Sequence, residues 1–106
     1  MVMAILKKIK EKSKMKIPTI TNYGRYESNN YGAHTLKVDL GEIEFYYSYE
    51  TIVAYCDGKD GLVCSENVWG ITTGKHLNWI QSHKNRRINN TEFQEMLRRA
   101  IARHVS

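Results

Sequence analysis

Residues 36–66 alternate apolar and polar side chains in short runs, and turn formers break each run. That pattern leaves little besides an antiparallel meander. Leu36 and Val38 alternate with Lys37 and Asp39, and Ile43, Phe45 and Tyr47 alternate with Glu44 and Tyr46. A repeat of two is that of a strand with one face buried. A turn centred on Leu40-Gly41 pairs Val38 with Ile43, Leu36 with Phe45 and Lys37 with Glu44. Apolar residues then meet on one face and opposite charges on the other. Tyr49-Glu50 makes a corner, residues 51–56 form a β-branched and aromatic strand, and Asp57-Gly58-Lys59-Asp60-Gly61 is a strong turn signal before the return strand at 62–66. If Asp57 pairs with Gly61, Cys56 faces Leu62 and Cys64 faces Ala54. The two sulfurs are then diagonal on one face. A disulfide is not favoured there, and the apolar surroundings read as buried free thiols in a reducing compartment.

Helical patterns flank the meander. Val2, Ile5, Leu6 and Ile9 follow the amphipathic spacing, lysines fill the other face, and Pro18 bars continuation. Residues 19–33 are rich in Asn, Gly, Ser and Tyr and read as a short strand and a long loop. Thr72 or Thr73 caps a short helix over 75–81, with Gly74 easing the entry. Phe93, Met96, Leu97, Ala100, Ile101 and His104 make the stripe of a terminal helix, with a capping box from Asn89 and Glu92 or from Thr91 and Gln94. The 106 residues, 42% apolar, suit one core. The expected fold is α+β and a single domain over 1–106. A basic amphipathic helix (1–16) precedes an acidic antiparallel sheet of about four strands (34–66). A Trp-rich joint and basic helices (67–106) follow, and all the helices pack on one face. No apolar run nears the roughly 18 residues of a membrane span, and the lysine-rich start does not read as a signal peptide, so a cytoplasmic protein without membrane contact is expected.

Charge is arranged in blocks. Residues 1–16 carry six lysines and one glutamate, 17–73 carry three basic residues against eight acids, and 74–106 carry seven basic residues against two acids. The net charges are +5, −5 and +5. The basic ends suit phosphates, or they simply pack near the acidic sheet.

Candidate chemistry is sparse. Gly70-Ile71-Thr72-Thr73-Gly74-Lys75 has three residues between its glycines where a phosphate loop has four, and His76 follows the lysine. The histidines lack metal-ligand spacing. Cys56 and Cys64 lie in apolar strands, which favours inert thiols over a nucleophile paired with His76. Glu42 and Glu44 share a strand face as solvated sheet residues. No catalytic residue, metal or cofactor is expected. Two contact surfaces remain. One is nucleic-acid-binding, with Lys75, His76, Asn78, Lys84, Arg86 and Arg87 around Trp79. The other is partner-binding, with Tyr46, Tyr49 and Tyr55 beside Glu42, Glu44 and Glu50. Both tryptophans fall in 66–80. Val68 and Gly70-Ile71 around Trp69 make it the core anchor, whereas the polar neighbours of Trp79 suit either packing or contact.

The string Tyr46-Tyr47-Ser48-Tyr49-Glu50-Thr51-Ile52-Val53-Ala54-Tyr55, followed by Asp57-Gly58, Glu66-Asn67-Val68-Trp69 and Thr72-Thr73-Gly74-Lys75-His76-Leu77-Asn78, resembles a family of small uncharacterised proteins of phages, plasmids and other mobile elements. The resemblance covers roughly residues 34–100. It implies a non-enzymatic protein that binds and inhibits a host defence complex, as anti-CRISPR proteins do to a Cas effector. The residues themselves support an alternative, a small DNA- or RNA-binding accessory protein using the basic C-terminal third.

Overall fold

The computed structural model describes residues 18–24 and 34–105. The N-terminal helix expected over 1–16, and most of the long loop expected within 19–33, lie outside the described residues. Five strands form one antiparallel sheet in sequential order: β1 (Thr19–Asn22), β2 (Leu36–Asp39), β3 (Ile43–Ser48), β4 (Thr51–Asp57) and β5 (Gly61–Cys64). Two helices follow, α1 (Ile71–Ile80) and α2 (Asn90–Val105), with a short 3-10 turn at Lys84–Arg86 between them. The architecture is α+β as expected, with one strand more in the sheet than the expected four: β1, the short strand read within 19–33, pairs with β2. No described helix is long and apolar enough to cross a membrane.

Local turn chemistry fixed the β4–β5 register as expected: Asp57 faces Gly61, Cys56 faces Leu62 and Ala54 faces Cys64. The Asp57 carboxylate accepts the amides of Lys59 (3.1 Å) and Asp60 (2.7 Å), which closes the turn. Both cysteines are free thiols. The β2–β3 register is shifted by two from the expected one: Val38 faces Phe45 and Lys37 faces Tyr46. The turn is longer because the Leu40 amide donates to the Ile43 carbonyl (3.0 Å), while the Asp39 carboxylate accepts the Gly41 amide (2.8 Å). A shift of two leaves every side chain on its expected face. Lys37 still reaches Glu44, now diagonally at 3.9 Å.

The helices pack on opposite faces of the sheet, not on one. Phe45, Tyr55 and Val63 lie side by side across β3, β4 and β5, and Phe93, Leu97 and Ala100 of α2 pack against them. On the other face, Ala54 and Cys64 pack with Val53 against Leu77 of α1. A bulge divides the two layers. Tyr46 pairs with Ala54 but Tyr47 pairs with Ile52, so Val53 is the extra residue. It joins Ala54 on the α1 side, and Ile52 turns to the α2 side. Beyond β5 the chain closes the sheet edge with a parallel bridge between Ser65 and Ile88. The Ile88 amide donates to the Cys64 carbonyl (2.9 Å), and the Glu66 amide donates to the Ile88 carbonyl (2.7 Å). Everything between Glu66 and Arg87 is therefore an excursion pinned at its base.

The start of α1 also differs from expectation. The helix begins at Ile71, four residues before Lys75, and has no side-chain cap. Asn67 makes this early start. Its Oδ1 accepts the amides of Trp69 (3.0 Å) and Gly70 (3.2 Å), and its Nδ2 donates to the Gly70 carbonyl (2.8 Å). Thr73, freed from capping, is buried and hydrogen-bonds Ser48 of β3 at 2.9 Å. At α2, Asn89 is the cap: its Oδ1 accepts the amides of Thr91 (2.8 Å) and Glu92 (3.3 Å).

Candidate nucleic-acid interface

Ile71, Gly74, Lys75 and Asn78 recur at i, i+3, i+4 and i+7, so they share one face of α1. The opposite face buries Thr73, His76 and Leu77. Across from the outward face stand Lys84, on the 3-10 turn, and Arg87 just after it. Glu66 and Asn67 close the end, and together these eight residues line an open cleft of about 400 Å³. Four of the residues expected to contact nucleic acid, Lys75, Asn78, Lys84 and Arg87, thus converge. The helical period of 75–78 was legible in the sequence. Glu66, Asn67 and Gly74 enter through the early start of α1, for which the only cue was Asn67 ahead of a glycine.

The geometry fixes part of this cleft and leaves part open. Arg87 donates to the Asn78 Oδ1 (2.7 Å) and twice to the Gln81 carbonyl (2.9 and 3.1 Å). Its charge therefore sits at the C-terminus of α1, where the helix dipole favours a cation. Lys75 and Lys84 are exposed and have no acidic partner among the described residues. Glu66 is the single carboxylate, and its Oε1 accepts the Asn90 amide (3.4 Å) at the start of α2. Gly74 is closely fitted: a Cβ there would stand 2.8 Å from the Asn67 Nδ2, and that side chain would have to shift. Among the described residues, no three His, Cys, Asp or Glu side chains stand together as a metal set.

Other expected site residues lie elsewhere. His76 is fully buried, with Nδ1 2.7 Å from Ser48 Oγ. It faces the sheet because it shares the buried side of α1 with Thr73 and Leu77, and it does not line the cleft. Burial, with His34 and Lys75 nearby, pulls its pKa below the usual histidine value. Trp79 is half-buried and stacks on His76 at 5.7 Å. Arg86 is exposed but does not line the cleft. The expectation for Trp69 is overturned: it is 37% exposed, with Val68 at 55% and Ile71 at 95%. The Asn67 turn lifts residues 68–71 off the core.

The acidic tyrosine surface does not form one patch. Tyr55 is fully buried and donates to Asp60 Oδ2 at 2.6 Å, because it lies between Phe45 and Val63 on the α2 side of the sheet, the face opposite to that of Tyr46. Tyr46 is half-buried, donates to Glu44 (3.3 Å) and meets Tyr23 edge-on. Desolvation, reinforced by Glu44, pushes its phenol up to about 12. Glu42 lies at one end of β3, 3.4 Å from His104. Tyr49 and Glu50 lie at the other end, exposed, and line a hollow of about 470 Å³ with His34 and Thr51.

A protein-family model matches residues 15–95, which include all five strands, the whole cleft and the start of α2. The chain belongs to DUF8033, a family of unknown function. No curated protein and no solved structure matches it.

Proposed function

We propose that this DUF8033 chain is a non-enzymatic binding module that holds the phosphate backbone of DNA or RNA in the cleft of Lys75, Lys84 and Arg87. One observation carries the reading: three cations from two separate elements converge on one cleft against a single carboxylate. Exchanging condensed counterions for such cations drives backbone binding. The buried side chains support the absence of catalysis. Ser48, Thr73 and His76 form a hydrogen-bonded group sealed under α1, where no substrate reaches a hydroxyl. Desolvation pushes the Cys64 thiol up to about 11 and the Cys56 thiol above its usual value, so neither is a ready thiolate.

The test is fluorescence anisotropy with labelled oligonucleotides at 50 and 200 mM salt. Affinity should fall steeply with salt, and removing Lys75 and Lys84 together should flatten the salt slope by roughly 1.4 to 1.8 log units per log unit. Salt-independent binding, or none, rejects the reading.

A second reading rests on the exposed Tyr49 and Glu50 at the β3–β4 turn, where Tyr49 is held at φ 56. An exposed tyrosine beside a hollow suits a protein contact. In this reading a phage or mobile-element protein binds a host defence complex in the host cytoplasm, specifically a Cas effector, and inhibits it. Effector cleavage that proceeds normally with excess protein would reject it.

A further inference from the structure

We infer that the nucleic acid taken by this cleft is single-stranded, with one base stacked on the tip formed by Val68, Trp69 and Ile71. The inference rests on the phosphate-cleft reading and adds what lies beside the phosphates. Three observations carry it.

The tip is apolar and open to solvent, with Trp69 37% and Ile71 95% exposed. It joins the cleft through Ile71 and along the chain. Asn67 and Ile71 both line the cleft, and Trp69 stands midway between them in the chain. It is also pre-shaped: Asn67 holds the Trp69 and Gly70 amides and the Gly70 carbonyl, so the indole is presented with its backbone already ordered.

Charge selects the occupant. An apolar tip alone would suit a protein, but Ile71 of this one lines the same cleft as Lys75, Lys84 and Arg87, with only Glu66 opposed. A polyanion with exposed aromatic faces answers both halves of the surface. A single strand has phosphates to enter the cleft and unpaired bases to lie on the indole. A duplex offers the same phosphates but keeps its bases stacked inside, leaving Trp69 without a partner. Stacking tolerates any base, so little sequence preference is expected.

The experiment titrates the full chain with fluorescent oligonucleotides of one length: single-stranded dT, single-stranded rU and a blunt DNA duplex. The variants are Trp69→Ala and Trp69→Phe, each checked by circular dichroism. Single strands should bind at least about fivefold tighter than the duplex. Trp69→Ala should remove about that factor for single strands and leave duplex binding unchanged, and Trp69→Phe should retain most of it. The dT and rU arms separate a DNA ligand from an RNA ligand. Equal single-strand and duplex affinity, or single-strand affinity unmoved by Trp69→Ala, overturns the inference while salt-dependent binding still upholds the phosphate cleft. No binding to any oligonucleotide at low salt removes both.

Discussion

Trp69 departs from the role its neighbours in sequence suggest, and Trp79 takes the packing role, one of the two its neighbours allow. Trp69 sits on a solvent-facing tip, and Trp79 stacks on buried His76. Trp69→Ala should therefore cost less stability than Trp79→Ala, which should cost about 1–3 kcal/mol. Thermal or urea melts of the two variants check the order. An apolar neighbour such as Val68 is a poor guide to burial when an Asx turn reorients the backbone. The second residue-scale effect belongs to His76, enclosed by Ser48, Thr73, His34, Tyr49 and Trp79. Its pKa is lowered in the fold, so the folded state prefers the neutral ring and the unfolded chain binds the proton first. The stabilisation is complete above the unfolded value of about 6.5 and is lost as pH falls below it. Melting temperature should decline from pH 7 to pH 5, and His76→Gln should flatten that decline.

At the scale of elements, the start of α1 sets the geometry of the cleft, and Gly74 shows how closely it is fitted. Alanine is the better helix former by about 1 kcal/mol. Gly74→Ala nevertheless places a methyl against Asn67 and loosens the turn that presents Trp69. Global stability should barely move, while hydrogen exchange at the Trp69 and Gly70 amides should rise at least about tenfold. Unchanged exchange would show that Asn67 simply steps aside. Elements were legible in the sequence where the signal was local. The Asp57 to Gly61 turn fixes its own hydrogen bonds, so the β4–β5 register followed from residue types. The Phe93 to Ala100 stripe likewise announced the buried face of α2. The β2–β3 register was not legible to better than two residues, since Leu40-Gly41-Glu42 fits turns of either length. The opposite placement of the helices was hidden as well. In Ile52-Val53-Ala54 nothing marks which residue is extra, yet the bulge at Val53 decides which side chains reach each helix.

At the scale of the whole molecule, an ionic knot fastens the end of α2 to the β4–β5 turn. Arg103 donates to Asp57 (2.7 Å) and Asp60 (3.0 Å), and His104 Nε2 lies 3.0 Å from Asp57. Burial alone would raise the Asp57 pKa, but the Asp60 amide, Arg103 and His104 outweigh it and hold the carboxyl at about 2. The sign follows: Asp57 stabilises the fold fully above the unfolded carboxyl value of about 3.9, and that contribution disappears as pH falls toward 2. Acid unfolding should therefore steepen below pH 4, and Asp57→Asn should lower the melting temperature at pH 7 while removing that steepening. The cleft lies away from this knot in the chain, within the excursion that leaves and rejoins the sheet at Ser65 and Ile88. Because its two ends are one backbone hydrogen bond apart, the chain between them can lengthen or shorten at an entropic cost of only about 0.6 kcal/mol per doubling. The length of this excursion is thus free to vary without altering a single strand register, so long as a residue like Leu77 still covers the sheet.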